Sequence, residues 1–239
     1  MQGLLKTQIR LVLLRPRNPE NLGAIARAMK NFGLATWTLV DPRTLDFHAA
    51  RRVAVHSEEI LDRPQVEPSL EAAVSRCAWV VGTSSRQVSG LPVLEPRALA
   101  VAMAERAAAG QAVALVFGDE RSGLSNEELG QCHARSRIPA LAAQPSLNLA
   151  QAVTLYAYEL SQACAQVRPA DPRPAATVAE LGALGQKLGA ALADAAFLDP
   201  ANPRHALDDL MRAFERAQLS PREWRLWMAA ASALGKRQR

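Results

Sequence analysis

The chain has 239 residues, of which 49% are apolar, enough for one α/β domain with a smaller unit attached. Its net charge of +5 and isoelectric point near 9.6 favour an anionic partner. Three widely spaced cysteines argue against a disulfide framework or a zinc site, and neither a signal peptide nor a membrane-spanning run is found, so we expect a cytoplasmic protein without metal or membrane contact.

Strands and helices are predicted to alternate through residues 1–166. Apolar, β-branched runs predict strands at 9–14, 36–40, 78–82, 112–117 and 137–140. Helical periodicity predicts helices at 20–31, 55–60, 96–109, 125–132 and 147–166. This alternation indicates the α/β class, with a mostly parallel sheet flanked by helices.

Short signals mark several boundaries of these elements. Gly33 follows the helix at 20–31 in the position of a left-handed turn. Ser125 and Glu128 form a capping box, and Ser146 is the predicted N-cap of the helix at 147–166. Prolines mark a predicted loop at 63–68.

The composition changes after residue 166. Residues 167–176 are rich in proline and predict a linker. Residues 177–239 show no strand signal and predict an all-α extension with helices at 178–198, 204–218 and 221–234. A second capping box, Ser220 and Glu223, opens the last of these helices. Three short helices bury little core of their own, so we expect the extension to dock on another surface.

Three polar loops, of which the first two contain glycine, are the candidate functional segments. They lie at 18–27, 117–124 and 144–149, and a fourth loop at 82–86 is rich in hydroxyls. Loops at the carboxyl ends of strands are where α/β proteins place their ligands. Each also has a plain structural interpretation, as a solvated helix face, a βα turn or a helix cap. The Walker and dinucleotide-binding patterns are absent, which disfavours a nucleotide enzyme of the usual kinds.

In their order along the chain, the loops resemble the three motifs of the SPOUT-class (TrmH-type) RNA ribose 2′-O-methyltransferases. The motifs read Asn21-x-Gly23-x-x-x-Arg27, then Phe117-Gly118-x-Glu120-x-x-Gly123-Leu124, then Ser146-Leu147-Asn148-Leu149. Residues 26–30, 82–84 and 124–129 and the helical tail resemble the subgroup that methylates cytidine or uridine 32 of bacterial tRNA. Glu20 stands where the family often has glycine, and Asp119 where the subgroup commonly has a basic residue.

The resemblance implies a fold and a reaction. The sheet would end in a trefoil knot that binds S-adenosylmethionine, and a homodimer would build each active site from both subunits. The reaction would be 2′-O-methylation of a ribose in tRNA. Methylation of ribosomal RNA by the same chemistry is the nearest alternative, and a non-catalytic RNA-binding module is an alternative from a different class.

The motif positions imply site residues. The catalytic candidates are Asn21, Arg27, Glu120, Ser146 and Asn148. The candidates for binding S-adenosylmethionine are Thr83, Ser84, Ser85, Gly118, Glu120, Gly123, Leu124, Ile138, Pro139, Pro145, Ser146 and Leu147, with Ile138, Pro139 and Leu147 as an apolar floor for adenine. The candidates for binding RNA are Arg15, Arg17, Arg27, Lys30 and Arg86, with further phosphate contacts expected from Arg222, Arg225, Lys236, Arg237 and Arg239 in the tail.

Arg27 is the residue on which the implied mechanism depends. A guanidinium is effectively always protonated, so it is a poor general base. We expect Arg27 to hold a phosphate and to favour loss of the hydroxyl proton electrostatically, with deprotonation by Arg27 as the alternative if its site is desolvated.

Overall fold

A computed structural model describes residues 7–86, 90–167, 174–198 and 203–236 of the chain. Two compact units are found, Met1–Pro172 and Arg173–Arg239. Their boundary falls among the residues predicted as a linker, of which 168–173 lie outside the described residues. Arg237 and Arg239 of the predicted basic tail lie outside them as well.

The first unit contains, within its described residues, a seven-stranded sheet in which all neighbouring strands are parallel. The strands are β1 (Ile9–Leu14), β2 (Trp37–Val40), β3 (Gln65–Glu67), β4 (Trp79–Thr83), β5 (Val93–Leu94), β6 (Val113–Phe117) and β7 (Ala134–Ser136). Their spatial order is β3-β2-β1-β6-β4-β7-β5. The central strand β6 is buried at every residue, as expected of a strand with both faces covered.

Helices of the first unit flank this sheet. They are α1 (Pro19–Asn31), α2 (Phe47–Arg51), α3 (Glu58–Leu61), α4 (Leu70–Val74), α5 (Pro96–Ala108), α6 (Asn126–Gly130) and α7 (Leu149–Gln166). The long helix α7 packs against α1 and α5, and its buried face joins the core of the sheet. The predicted α/β class with a parallel sheet is therefore confirmed; the trefoil knot stays a prediction.

Three of the predicted elements are wrong. The strand predicted at 137–140 is β7 at Ala134–Ser136, where the buried Arg135 interrupts the apolar pattern and donates from Nη1 to the Arg86 carbonyl (2.5 Å). The helix predicted at 55–60 is only the single turn α3, because His56 takes a left-handed backbone (φ 59°). The predicted loop at 63–68 contains β3, an edge strand that is held by pairing with β2.

The second unit is all-α within its described residues. Its helices are α8 (Val178–Asp194), α9 (Pro203–Ala217) and α10 (Pro221–Lys236). The first of them ends four residues before the predicted end, at a turn in which Ala196 has φ 53°. The capping box of Ser220 and Glu223 is present, and the Ala176 amide donates to Leu219 (2.7 Å), which ties the end of the expected linker to this unit.

Apolar side chains of the second unit remain exposed beside a small core. Leu181 and Leu184 are buried, whereas Leu226 and Trp227 are 61% and 44% exposed. The docking of this unit on another surface stays a prediction. Among the helices that the structure describes, none combines the length and apolarity needed to cross a bilayer.

Candidate active site

The predicted loops meet at the carboxyl edge of the sheet because β1, β6, β4 and β7, the strands that precede them, are consecutive and parallel. Three of these segments, 83–86, 117–124 and 145–147, line one cavity of about 300 Å³. The segment after β1 contacts the second loop through the side chain of Glu120. Segments of all three motifs therefore lie next to one another at this edge of the sheet.

A chain of hydrogen bonds joins one polar side chain from each motif. The Asn148 side-chain nitrogen Nδ2 donates to Asn21 Oδ1 (3.0 Å), and the Asn21 side-chain nitrogen Nδ2 donates to Glu120 Oε1 (3.0 Å). The Glu120 carboxylate also accepts from the backbone amides of Arg17 (3.1 Å) and Asn18 (3.2 Å). Because each amide acts as donor and acceptor, the chain orients all three side chains.

Asn148, rather than Ser146, is the N-cap of α7. Its Oδ1 accepts from the amides of Ala150 (2.8 Å) and Gln151 (3.3 Å), so the predicted cap was two residues too early. Ser146 instead lies in the wall of the cavity. One residue, Asn148, thus anchors the helix and holds Asn21.

Gly118 occupies a position where no side chain fits. A Cβ at this residue would lie 2.0 Å from the Gly123 carbonyl carbon and 2.3 Å from the Leu124 nitrogen. The loop between Gly118 and Gly123 is therefore folded tightly on itself, and Gly123 has the left-handed backbone (φ 65°) that favours glycine. Both glycines line the cavity.

Most of the predicted cofactor-binding residues line this cavity. They are Thr83, Ser84, Ser85, Gly118, Glu120, Gly123, Leu124, Ile138, Pro145, Ser146 and Leu147. Pro139 does not line it, although the prediction placed Pro139 in the apolar floor. The lining combines hydroxyls, backbone and apolar side chains, which fits a ligand with a nucleoside part such as S-adenosylmethionine.

Several residues that line the cavity were not among the predicted site residues. They are Phe117, Asp119, Arg121, Ser122, Ser136, Arg137, Leu149, Ala152 and Tyr156. The helical spacing of Leu149 and Tyr156 could have identified these two residues from the sequence, because both lie on the buried face of α7. Burial raises the pKa of Tyr156 to about 12, and its hydroxyl donates to Ser136 Oγ (2.9 Å).

Arg27 does not belong to the lining of the cavity. It is exposed on α1. It follows Asn21 by six residues, about 9 Å along the helix axis. Lys30, one turn further on, forms an exposed ion pair with Glu59 (2.6 Å). The structure thus brings Asn21, Glu120 and Asn148 together but leaves Arg27 apart from them.

The remaining predicted RNA-binding arginines differ in the hydrogen bonds and ion pairs that they form. Arg17 is exposed, and its backbone holds Glu120. The Arg86 guanidinium donates to the Leu124 carbonyl across the cavity mouth. Arg15 forms ion pairs with Glu128 (2.5 Å) and Asp119 (3.6 Å), which leaves it less available for a phosphate.

Asp119 is a buried carboxylate in the wall of the site. Burial opposes its ionisation, but hydrogen bonds from Ser122 and Arg121 and the charge of Arg15 together lower its pKa to about 2. It is therefore ionised throughout the physiological range. Within the described parts of the chain, no group of three or more His, Cys, Asp or Glu side chains forms a potential metal site.

Comparisons with known proteins agree with this geometry. Residues 8–158 match the SpoU rRNA Methylase family. The tRNA (cytidine/uridine/adenosine-2′-O-)-methyltransferase TrmJ of Pseudomonas aeruginosa is 38% identical over 229 residues, which are 90% of this chain and 89% of that protein. TrmJ from Z. mobilis has a TM-score of 0.79 and 31% identity, covering 94% of this chain and 98% of its own. An AdoMet-bound rRNA methyltransferase from Sinorhizobium meliloti has a TM-score of 0.51 and 25% identity, covering 67% and 57%.

Proposed function

Because this chain belongs to the SpoU rRNA Methylase family, we propose that it transfers a methyl group from S-adenosylmethionine to a ribose 2′-hydroxyl of tRNA. The observation that carries the proposal is the hydrogen-bonded chain of Asn148, Asn21 and Glu120 beside the cavity. It supplies fixed polar groups next to a pocket suited to a nucleoside. The similarity to the P. aeruginosa tRNA methyltransferase, which extends over 90% of the chain, supports tRNA as the substrate.

The cavity residues would hold the methyl donor. When bound, S-adenosylmethionine supplies a methyl group activated by the sulfonium. Thr83 and Ser84 are already positioned, because Thr83 Oγ1 donates to Val116 (3.0 Å) and Ser84 Oγ accepts from the Arg86 amide (3.2 Å). Ile138 and Leu147 would supply an apolar wall for adenine. Because Gly118 has no side chain, the cofactor would approach the backbone closely there.

The polar chain and Arg27 would act on the acceptor. Alignment of the oxygen with the methyl group and removal of the hydroxyl proton are the main requirements of this displacement. Asn21 and Glu120 have fixed positions and would orient the ribose. Arg27 would hold the adjacent phosphate, and its positive charge would favour the developing alkoxide.

We also propose a homodimer in which Arg27 serves the cavity of the other subunit. Arg27 is exposed and does not line the cavity of its own protomer. Tyr158 and Leu155 on α7 are 45% and 42% exposed, and Tyr158 packs edge-on against Phe32 after α1. This apolar surface next to α1 suits a symmetric contact that brings Arg27 to a partner.

The target is proposed to be cytidine or uridine 32 of the anticodon loop, in the cytoplasm. The resemblance of residues 124–129 to the subgroup with this target supports the position. The three cysteines lie buried and unbridged, which agrees with a reducing compartment.

Mass spectrometry of methylated RNA tests the function directly. Purified protein would be incubated with S-adenosylmethionine and unmodified tRNA, followed by nuclease digestion. We expect one 2′-O-methylated pyrimidine at position 32, with ribosomal RNA unmodified in a parallel reaction. Methylation of ribosomal RNA alone would favour the alternative substrate. Failure to methylate either RNA, with RNA binding intact, would favour the non-catalytic module.

Binding of tRNA is expected to weaken steeply with salt, because phosphate contacts release counterions. Raising the salt from 50 to 200 mM would lower the affinity at least about a hundredfold for five or so contacts. The variant Arg225→Ala, in α10, is expected to reduce the slope of log affinity against log salt by about one. Arg76→Ala, an exposed arginine after α4, is the matched control and should leave the slope unchanged. A slope near zero for the native chain would contradict the phosphate contacts.

A further inference from the structure

The loop from Gly118 to Gly123 is closed around the side chain of Asp119. Asp119 Oδ1 accepts from the amides of Arg121 (2.8 Å) and Ser122 (2.8 Å), and Oδ2 accepts from Ser122 Oγ (2.7 Å). The Gly123 amide donates to the Asp119 carbonyl (3.0 Å), which completes the turn. The Asp119 side chain, which is 4% exposed, therefore holds most of the second motif through its hydrogen bonds.

Arg15 ties this loop to two other segments. Its guanidinium pairs with Asp119 and with Glu128, and Glu128 belongs to the capping box that opens α6. Arg15 lies directly after β1, has a left-handed backbone (φ 48°) and donates its amide to the Val40 carbonyl (2.8 Å). Such a backbone is uncommon for a residue other than glycine, so these contacts must hold it in place.

Two consecutive carboxylates thus connect the loop to the segment after β1. Asp119 is held by the side chain of Arg15, and Glu120 by the backbone amides of Arg17 and Asn18. Glu120 also accepts from the Asn21 side-chain nitrogen. Arg15 provides a reason for the acidic residue at position 119, where the subgroup commonly has a basic residue, because its positive charge lies beside Asp119.

We propose that Asp119 is a positioning residue, which with Arg15 builds the loop at 118–123 in its receptive shape before the cofactor binds. This inference rests on the proposed function, since the ligand received is S-adenosylmethionine. A loop that is already ordered loses less conformational freedom on binding, so its affinity for the ligand is higher. Asp119 itself need not touch the methyl donor or the acceptor.

Cofactor binding by Asp119 variants tests the proposal. Calorimetry with S-adenosylmethionine, well below the melting temperature of each variant, is expected to give a Kd raised at least about tenfold for Asp119→Ala. Asp119→Asn keeps an acceptor for the two amides but loses the charge, so its Kd should lie between those of the native and alanine forms. The KM for S-adenosylmethionine should rise in parallel, while kcat at saturation stays within about threefold. Asp62→Asn, which removes the charge from an exposed ion pair with Arg51, is the matched control.

Hydrogen exchange in the free protein separates positioning from general stability. The amides of Arg121 and Ser122 should exchange faster in both Asp119 variants, while amides of β6 keep their native protection. An unchanged Kd in folded Asp119→Asn and Asp119→Ala would overturn the inference and leave the proposed function standing. If Asp119→Ala does not fold, an unchanged Kd in Asp119→Asn alone would overturn it. Failure of the native chain to bind S-adenosylmethionine would overturn the proposed function and the inference together.

Discussion

Replacing Arg27 by alanine is expected to lower methyl transfer by at least about a hundredfold, because one preorganised donor at developing negative charge contributes on this scale. Binding of S-adenosylmethionine should remain within about twofold, since Arg27 does not line the cavity. The side chain is exposed on α1, so loss of its atoms leaves the core intact. Single-turnover methylation of tRNA and calorimetry with the cofactor measure the two effects separately.

An exposed arginine at the other edge of the sheet provides the control for Arg27. Arg76 precedes β4, and in a parallel sheet the amino end of a strand lies opposite the edge that carries the site. Arg76→Ala should therefore methylate at the native rate. Native activity in Arg27→Ala would remove Arg27 from the mechanism, and a large loss of cofactor affinity would assign it to the pocket instead.

Replacing Gly118 by alanine is expected to weaken binding of S-adenosylmethionine at least about a hundredfold, the scale on which a misplacement of about 1 Å acts. The added Cβ would lie 2.0 Å from the Gly123 carbonyl carbon and 2.3 Å from the Leu124 nitrogen. Both are backbone atoms, so relief requires the loop that lines the cavity to move. Calorimetry with the cofactor and the melting temperature of the variant are the measurements.

Gly130 offers a matched glycine for this test. It ends α6, and a Cβ built there meets nothing within 4 Å. Gly130→Ala should bind the cofactor with native affinity. If Gly118→Ala also binds with native affinity, then the close approach of the loop does not shape the cofactor pocket.

Mixing the two site variants tests whether Arg27 serves the partner's cavity. A dimer of one Arg27→Ala subunit and one Gly118→Ala subunit would contain one complete site, formed by an intact cavity and an intact Arg27 on different chains. Random reassociation of equal amounts is expected to restore about a quarter of native activity. If Arg27 acts within its own protomer, the mixture stays inactive.

The sequence motifs identified polar residues that meet in the structure, but not the hydrogen bonds among them. Asn21, Glu120 and Asn148 were each singled out from their motifs, yet the hydrogen bonds among them join residues 99 and 127 positions apart. Nothing local to either residue specifies such a partner. Ser146 shows the same limit, because it and Asn148 are both good N-caps and only the position of the helix start distinguishes them. In the sequence, Asp119 was only a departure from the basic residue common in the subgroup. Its proposed positioning role depends on Arg15, 104 positions earlier in the chain.

The amino-acid sequence by itself determined the class of fold, the main alternating strands and helices, and the capping boxes at Ser125 and Ser220. These features depend on side-chain periodicity and on contacts within one turn, which neighbouring residues control. Only the tertiary structure decided which polar groups share a hydrogen bond, that Arg15 pairs with Asp119 and that Arg27 does not line the cavity. Those outcomes depend on the order and register of parallel strands, which bring distant segments to the same edge of the sheet.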